Sequence, residues 1–281
     1  MEKLLKGAPI AKAIRASAKE RVAELLTTPT LAVVQIGADE SAKVYTNSIK
    51  KLTDELGVQL LNYPLPETIT ETELLALIDA LNNSPDVTGI FLHMPLPAGF
   101  DAKRITTAIS PLKDVDCVTM HNVGLVATGN GCIFPCTPYA ALEILLSHGV
   151  KLSGKHVVVI GRSNIVGKPM ATMLIDQNAT VTLCHSRTVN LAQHTQQADV
   201  IVVAVGSANF LTAETVKLDA VVIDVGINVD PDGKLVGDVS FADVEPVASR
   251  ITPVPGGVGP VTVAMLARNL LTLYDLQHSE K

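Results

Sequence analysis

The first half of the chain alternates between helix-like and strand-like spacings of its apolar residues. Apolar positions recur every three or four residues in ranges that we interpret as helices, namely 9–26, 41–56 and 71–81. Short aliphatic runs predict strands at 31–36, 58–65 and 87–94. Strands that alternate with helices are typical of parallel sheets joined by right-handed crossovers.

The second half repeats this alternation after an irregular stretch. Residues 111–138 are rich in glycine, proline and polar residues, and we interpret them as a connecting or active-site segment. Beyond a predicted helix at 139–148, the expected elements are strands at 156–160, 180–184, 200–205 and 220–225 and a helix at 261–276. The pattern therefore predicts an α/β fold with two α/β lobes around a cleft, the second with a parallel sheet.

The composition of the chain supports two folded lobes and argues against a nucleic-acid partner. At roughly 150 residues per domain, 281 residues suggest two domains. With 47% hydrophobic residues and 18% charged residues, the chain has enough apolar surface to exclude disorder as its main state. The net charge is −6 and no Lys/Arg cluster is present, so we expect no nucleic-acid partner.

Nothing in the sequence indicates a membrane or a secreted protein. No apolar run reaches the roughly 18 residues that span a bilayer, and no secretory signal is visible. The four cysteines, Cys117, Cys132, Cys136 and Cys184, do not have the spacing of a disulfide framework or of a C-x-x-C metal site. We therefore expect a cytoplasmic protein with reduced thiols and no metal, although Cys117, Cys132 and Cys136 could conceivably bind one.

A glycine-rich turn between a strand and a helix indicates a dinucleotide site. Gly161, Arg162, Ser163, Val166 and Gly167 follow the predicted strand 156–160, and glycines there allow phosphate oxygens to approach backbone N–H groups. Ser163 stands where the usual G-x-G-x-x-G pattern has its middle glycine, so the spacing alone is weak. The strand–turn–helix context makes it a prediction of a Rossmann-like domain.

The end of the next strand favours NADP over NAD. NAD sites carry an acidic residue there that accepts the ribose hydroxyls, whereas this chain has His185, Ser186 and Arg187. A hydroxyl and a guanidinium suit a 2′-phosphate, and Arg162 could add a second positive charge. The alternative is that Arg187 is a solvated loop residue.

Several motifs closely resemble those of the bifunctional methylenetetrahydrofolate dehydrogenase/cyclohydrolase (FolD) family. They span nearly the whole chain: Pro135-Cys136-Thr137-Pro138, Gly161-Arg162-Ser163 through Val166-Gly167-Lys168-Pro169, Cys184-His185-Ser186-Arg187-Thr188, Asp224-Val225-Gly226-Ile227-Asn228, Gly237-Asp238-Val239, and Thr252-Pro253-Val254-Pro255-Gly256-Gly257-Val258-Gly259-Pro260. The last string is highly specific.

The resemblance implies a domain organisation and an activity. It implies a folate-binding catalytic domain at 1–137, an NADP-binding domain at 138–260, and a C-terminal helix at 261–281 that packs back on the first domain. It implies oxidation of 5,10-methylenetetrahydrofolate to 5,10-methenyltetrahydrofolate with NADP, followed by hydrolysis of that product, in a homodimer.

The resemblance also implies site residues. Tyr45 and Asp116 would bind the folate, Asp116 by accepting hydrogen bonds from the pterin edge. The remaining implied residues are Pro255, Gly256, Gly257 and Thr262 for the substrate and Gly226 and Ile227 for the cofactor. The alternatives are a loop-capping role for Asp116 and a simple tight turn at Gly256 and Gly257. The residue after Asp116 is Cys117, where the family has glycine, so the local turn is open to question.

Two departures from the family pattern concern one of its two activities. The family's catalytic lysine would lie four residues after Tyr45, where this chain has Ile49, and Lys50 is turned about 100° away on a helix. A family glutamine is replaced by His93. The family lysine is tied to hydrolysis of the methenyl product, so both changes affect the cyclohydrolase.

Three interpretations remain open. The first is an NADP-dependent dehydrogenase with weak or lost cyclohydrolase activity. The second is a bifunctional enzyme in which His93 replaces the base, since histidine titrates near neutrality. The third is a folate- and NADP-binding paralogue without catalysis. The intact cofactor motifs favour the first two over the third.

Overall fold

The computed structural model describes residues 2–37 and 40–279, which form two compact units. The three-stranded unit comprises Ala13–Cys136 and Val263–Lys281, and the five-stranded unit comprises Met1–Lys12 and Thr137–Thr262. The N-terminal residues thus group with the five-stranded unit, whereas we expected them in the folate domain. The last two residues of the expected helical range 261–281 lie outside the described residues.

The predicted parallel alternation is confirmed in the first half of the chain. Its strands are β1 (Thr30–Ile36), β2 (Gln59–Leu65) and β3 (Gly89–Leu92), and its helices are α1 (Ala8–Ala23), α2 (Glu40–Leu56), α3 (Glu71–Asn83), α4 (Ala102–Ala108) and α5 (Met120–Ala127). The sheet order is β2-β1-β3, with every pair parallel. The central strand β1 is buried along its length, whereas the residues of edge strand β2 are exposed or partly exposed. Pro64 is tolerated in β2 because an edge strand does not need every backbone N–H for pairing.

The segment 111–138 is more regular than we expected. It contains a 3-10 turn at Pro111–Lys113, helix α5, and the start of helix α6 (Cys136–Ser147). Asp114 bridges to Ile90, so the chain here runs beside β3. The buried Lys113 ammonium donates to the carbonyls of Leu81 and Ser84 at 2.8 and 2.5 Å, which stabilises the C-terminal end of α3. The segment that we interpreted as a connecting or active-site segment therefore contains regular elements, which tertiary contacts order.

The second half of the chain forms a five-stranded sheet. Its further elements are β4 (His156–Ile160), β5 (Thr180–Cys184), β6 (Val200–Val203), β7 (Val221–Asp224), β8 (Asn228–Val229), β9 (Leu235–Val236), β10 (Arg250–Ile251), α7 (Gly167–Asp176), α8 (Leu191–Thr195), α9 (Phe241–Val244) and α10 (Val258–His278), with a 3-10 turn at Ala213–Thr215. The sheet order β10-β7-β6-β4-β5 is parallel throughout. Because β5 and β6 lie on opposite sides of β4, the strand order reverses between β4 and β6, and such a switch point is where this class of sheet binds ligands.

The N-terminal segment covers the edge of this sheet. Leu5 N donates to Ile251 O at 2.9 Å, and Ile251 N donates to Lys3 O at 3.0 Å. These bonds pair the segment with edge strand β10 and explain why it groups with the five-stranded unit. Within the described residues, no helix has the length and apolar character needed to cross a membrane.

Helix α10 is anchored in the three-stranded unit by a buried amide. Asn269 Nδ2 donates to Val115 O at 2.9 Å and to Phe134 O at 2.7 Å. These bonds join the helix to the segments on either side of α5, and so to the chain that carries Asp116.

Candidate functional site

Helix α2 places Tyr45 and Ile49 one turn apart. Tyr45 is half-buried and Ile49 has no exposed surface, whereas Lys50 and Lys51 are exposed. The same buried stripe continues through Leu52 and Leu56. Neither lysine therefore occupies the interior position at which the family resemblance puts an ammonium.

Tyr45 belongs to a small aromatic cluster at the end of β3. Its ring stacks on Phe91 with centroids 5.5 Å apart, and it meets His93 edge-to-face at 5.6 Å. The rings of Phe91 and His93 are also edge-to-face, at 5.0 Å. The cluster fixes the orientation of Tyr45 on the helix.

A chain of hydrogen bonds orients the imidazole of His93. Gln35 Nε2 donates to Gly37 O at 3.3 Å, which turns Oε1 of that amide towards Thr46. The hydroxyl of Thr46 donates to Gln35 Oε1 at 3.0 Å and lies 2.9 Å from His93 Nε2. Because the only hydroxyl hydrogen is used on Gln35, the Nε2 atom of His93 must carry a proton and donate to Thr46.

Asp116 lies near Tyr45 in the same unit. Its Oδ1 accepts a hydrogen bond from Cys136 N, the first residue of α6, at 3.1 Å. Burial raises the pKa of Asp116 to about 6, against that hydrogen bond and with a smaller contribution from Asp114. Burial, and then the nearby Asp116 carboxylate, raise the pKa of Tyr45 well above its ordinary value, so the phenol stays neutral.

In the turn after Asp116, a residue other than glycine adopts the left-handed backbone conformation. Cys117 is buried and has φ +54°, a conformation that costs a non-glycine residue about 1 kcal/mol. The fully buried Asp114 carboxylate holds this turn by accepting from Val118 N and Thr119 N, both at 2.9 Å. The Cys117 substitution is therefore accommodated in a turn that glycine would favour.

Sequence reasoning missed the polar residues behind these side chains. Gln35 and Thr46 belong to no motif and act by contacts with residues more distant in sequence, whereas Asp114 acts locally on the turn that follows it. The one available signal was a buried-strand glutamine, Gln35, within an otherwise apolar run.

In the five-stranded unit, the glycine-rich turn is a close crossing of backbones. Gly161 has φ +121°, and an added Cβ would overlap the carbonyl of Ala204. An added Cβ at Gly167 would overlap the carbonyl of Gly161. Both positions require glycine, so the turn packs tightly against the loop after β6 at the switch point.

Ser163 closes the turn against the start of α7. Its hydroxyl accepts from Val166 N at 3.1 Å and from Gly167 N at 3.4 Å. The serine thus caps two backbone donors at the N-terminal end of the helix, which is a reason for its presence where the usual motif has glycine.

The basic and hydroxyl residues predicted to bind the cofactor lie in the turns that follow the carboxyl ends of β4 and β5. Ile160 and Cys184 are paired in register, so Arg162 and Arg187 follow adjacent strand ends. His185 Nδ1 accepts from Arg187 N at 3.1 Å, and Ser186 and both arginines are exposed. Within residues 2–37 and 40–279, neither arginine has an acidic partner, so both charges are available to an anion.

The turn after β7, which carries the predicted cofactor residues Gly226 and Ile227, is hydrogen-bonded to the buried carboxylate of Asp224. Gly226 N donates to Asp224 Oδ1 at 3.0 Å, and Ile227 beside it is 64% exposed. Burial raises the pKa of Asp224 to about 6, against three backbone hydrogen bonds that lower it. An exposed isoleucine above a rigid turn is able to contact a flat ligand.

The predicted substrate loop is closely packed within the five-stranded unit. Gly256 has φ +108° and accepts from Gly7 N at 2.9 Å, and a Cβ on Gly257 would come within 2.6 Å of Pro253 O. Pro255 is exposed beside them. Thr262 is buried and donates to Val258 O at 3.2 Å, one turn back in α10. The glycines are explained by backbone packing, and the Thr262 hydroxyl is used within its own helix.

Thus the structure brings Tyr45, His93 and Asp116 together in the three-stranded unit. In the five-stranded unit it brings the Gly161 turn beside the turn at His185. All four cysteines are free thiols, and the described part of the chain has no group of three His, Cys, Asp or Glu side chains that could hold a metal ion.

Two family models match the two halves of the chain. The model of the tetrahydrofolate dehydrogenase/cyclohydrolase catalytic domain matches residues 5–116, and that of the corresponding NAD(P)-binding domain matches residues 135–278. Together they cover both the Tyr45–Asp116 site and the glycine-rich turn.

Curated relatives and solved structures agree over nearly the full length. The bifunctional protein FolD of Burkholderia cenocepacia is 49% identical over 271 residues, 95% of each chain. The crystal structure of the bifunctional enzyme FolD from Campylobacter jejuni superposes with a TM-score of 0.94 at 42% identity, covering 97% of this chain and 98% of that one.

A third neighbour was solved with a cofactor. The methylenetetrahydrofolate dehydrogenase-cyclohydrolase (FolD) of Trypanosoma brucei, complexed with NADP and an inhibitor, has a TM-score of 0.93 at 37% identity over 97% of each chain. With the fold, both domain models and the relatives in agreement, the chain belongs to the tetrahydrofolate dehydrogenase/cyclohydrolase family.

Proposed function

We propose that this chain oxidises 5,10-methylenetetrahydrofolate to 5,10-methenyltetrahydrofolate with NADP⁺ and hydrolyses the product weakly or not at all. Family membership supports the substrate and the reaction. One observation carries the second part of the proposal: the position of the family lysine is the fully buried, uncharged Ile49.

The dehydrogenase half needs no proton transfer. Loss of a hydride from the methylene bridge leaves a methenyl cation, stabilised by its two nitrogens, and NADP⁺ supplies the hydride acceptor. The protein's task is to align the rings. In our proposal Tyr45 packs against the folate and the ionised Asp116 accepts hydrogen bonds from the pterin. Pro255, Gly256, Gly257 and Thr262 are the further substrate contacts of the proposal.

The cyclohydrolase half needs a group that Ile49 cannot supply. Hydrolysis adds water to the methenyl carbon and releases a proton, so a side chain that moves protons accelerates it. An aliphatic side chain neither accepts nor donates a proton. Lys50 and Lys51 are exposed on other faces of α2 and offer no replacement at the interior position.

The residues at the switch point of the five-stranded unit fit NADP. The backbones cross tightly at Gly161 and Gly167, and α7 begins there, so the turn lies at a helix N-terminus, which favours a pyrophosphate. In the proposal the remaining cofactor contacts come from Arg162, Ser163, Val166, His185, Ser186, Arg187, Gly226 and Ile227. Arg162, Ser186 and Arg187 would hold the 2′-phosphate, which NAD lacks.

Full bifunctionality is the second candidate. The relatives cited above are named bifunctional, and His93 lies against Tyr45 with its Nε2 proton directed to Thr46. In this candidate His93 moves the proton that the lysine moves elsewhere in the family. Rapid methenyl hydrolysis that is lost in His93→Ala and retained in the wild type would establish it.

The primary experiment measures turnover by the purified chain. We expect NADPH formation from 5,10-methylenetetrahydrofolate and NADP⁺, and a much lower catalytic efficiency with NAD⁺. Equal efficiency with both cofactors would contradict the roles of Ser186 and Arg187. Binding of folate and NADP⁺ without any turnover would instead support a non-catalytic paralogue.

The proposal includes a domain assignment, an assembly and a location. The folate site belongs to residues 1–137 with helix 261–281, and the NADP site belongs to 138–260. We further propose a cytoplasmic homodimer, since four free thiols suit a reducing compartment. A mass in solution of about twice the chain's 29.6 kDa is expected, and a monomer at micromolar concentration would refute the dimer.

A further inference from the structure

We infer that Asp238 is a positioning residue for cofactor binding, because its buried carboxylate holds the loop that borders the switch point of the five-stranded sheet. The inference rests on the proposed function, since it concerns the NADP site. Asp238 lies in the Gly237-Asp238-Val239 motif, which none of the proposed contacts uses.

The carboxylate of Asp238 is the centre of four hydrogen bonds. Its Oδ2 accepts from Val205 N at 2.6 Å and from Gly206 N at 2.9 Å. Its Oδ1 accepts from Ser207 N and from Asn228 Nδ2, both at 2.9 Å. The side chain has no exposed surface. Three successive backbone N–H groups that converge on an anion form a nest, here filled by a carboxylate of the same chain.

Backbone donors, rather than a cation, compensate this charge. Among the residues that the structure describes, no lysine, arginine or histidine forms an ion pair with Asp238. A buried carboxylate without a cation is stable only when its oxygens are fully hydrogen-bonded, so the loop and the carboxylate fix each other.

The loop that Asp238 holds is the one next to the glycine-rich turn. It follows β6, which ends at Val203, and Ala204 N donates to Ile160 O at 2.8 Å. The carbonyl of Ala204 is the group that an added Cβ on Gly161 would overlap. The loop and the turn therefore face each other at the carboxyl ends of β6 and β4, where the strand order reverses.

A second carboxylate supports the first. Asp224 at the end of β7 accepts from Asp238 N at 3.0 Å and from Val239 N at 2.9 Å, in addition to Gly226 N. An added Cβ on Gly226 would overlap the Asp238 carboxylate, and one on Gly237 would overlap that of Asp224. The two motifs thus interlock, and Asp238 joins the loop after β6 to the segment after β7.

The test is Asp238→Asn in the full chain. Whichever way the asparagine amide is turned, its NH₂ group faces two of the four donors, so the loop loses its fixed position. We expect the Kd for NADP⁺ to rise at least about tenfold, with the Kd for the folate substrate changed less than about twofold.

Asp199→Asn is the matched control. Asp199 immediately precedes β6, so it lies at the amino-terminal ends of the strands, opposite the carboxyl ends where the cofactor is proposed to bind. There it accepts from His156 N at 3.1 Å and from Lys217 Nζ at 2.7 Å. The same isosteric change at the amino-terminal end of β6, rather than in the contact with the loop after it, should leave the Kd for NADP⁺ unchanged, whatever it does to the melting temperature.

Asn228→Ala keeps the inference testable if Asp238→Asn does not fold. It removes one of the four donors, so we expect a smaller rise of the Kd for NADP⁺. The inference fails if the folded variant binds NADP⁺ like the wild type, or if affinity for NADP⁺ and folate falls equally. Absence of NADP⁺ binding by the wild type would instead overturn the proposed function itself.

Discussion

Ile49 lies one helical turn from Tyr45 in the interior of the three-stranded unit, and a lysine there would direct an ammonium towards the proposed folate site. We predict that Ile49→Lys raises the rate of methenyl hydrolysis by on the order of a hundredfold, the size of a general acid–base contribution. Burying the charge should also lower the free energy of unfolding by about 3 kcal/mol. Hydrolysis of the methenyl compound and denaturant unfolding measure the two effects.

Ile49→Met is the control for this change. Methionine keeps the length and apolar character without a charge, so we expect a stability loss below about 1.5 kcal/mol and no gain in hydrolysis. If lysine also gave no gain in a folded protein, the site would have diverged from the family beyond this one position.

If Asp116 binds the pterin as proposed, folate binding should depend on pH. Its pKa is raised to about 6, chiefly by burial, so the carboxylate that would accept the pterin hydrogen bonds forms only as the pH rises through that value. We predict that the KM for 5,10-methylenetetrahydrofolate falls as the pH rises through about 6. Initial rates across this range provide the measurement.

Asp116→Asn separates this group from others that titrate nearby. The variant should have a KM that shows no inflection near 6 and exceeds the wild-type KM above that pH, where the wild-type carboxylate is ionised; an unchanged inflection would assign the titration to another group. Stability alone does not discriminate, because Asp224 also has a pKa raised to about 6. For both carboxyls the folded state holds the proton more tightly, so their contribution to stability grows as the pH falls from about 6 towards 3.8.

At the scale of elements, the ends of β4 and β5 carry the residues that we propose select NADP over NAD. Their register puts the two strand ends side by side, so Arg162 and Arg187 follow neighbouring strands, and Arg187 has no acidic partner within the described chain. A charge-assisted bond to the 2′-phosphate is worth about 1.5–3 kcal/mol. We therefore predict that Arg187→Ala lowers kcat/KM for NADP⁺ at least about tenfold and leaves that for NAD⁺ nearly unchanged.

Lys155→Ala is the matched control for this prediction. Lys155 is an exposed cation that precedes β4 at its amino-terminal edge, away from the strand ends that carry the arginines. Its loss changes the net charge equally and should leave the ratio of the two cofactor efficiencies unaltered. A ratio that shifts equally in both variants would mean that only the overall charge matters.

The longer elements could be predicted from apolar spacing alone. Strands 156–160 and 180–184 are confirmed to the residue, since β4 is a largely aliphatic run, β5 alternates threonine with aliphatic residues, and both end at turn residues. Strands β8, β9 and β10 have two residues each and leave no periodic signal. Helices α4 and α5 were missed because they are short and so have little apolar periodicity. Their N-caps, Asp101 and Thr119, can be recognised as caps only from the backbone hydrogen bonds that their side chains accept in the structure.

The residues of the candidate sites also divide into those that the sequence could predict and those that it could not. Residues that act through the backbone, such as Gly161 and Gly167, belong to a motif and could be identified in sequence. The roles of residues that reach across the fold could not be predicted: Thr46 meets His93 from another element, and Asp238, although part of a motif, meets a loop more than thirty residues earlier. Such contacts depend on tertiary packing, which no local pattern encodes.

At the scale of the whole molecule, the chain combines an intact family framework with one missing group. Both domain models match, and relatives named bifunctional are 49% identical over 95% of the chain, so the substrate class and the cofactor class are those of the family. In our proposal the buried Ile49 alters the chemistry of one reaction and leaves the framework of the other in place. The two activities should therefore be separated in this protein.

Following NADPH and the methenyl product together, in one reaction of purified protein with 5,10-methylenetetrahydrofolate and NADP⁺, tests that separation. We predict that the methenyl product accumulates in step with NADPH and then decays no faster than it does without protein. The Campylobacter jejuni enzyme, whose structure is described as a bifunctional dehydrogenase/cyclohydrolase, serves as the reference. Hydrolysis of the methenyl product by this chain at the rate of that reference would contradict the loss of cyclohydrolase activity.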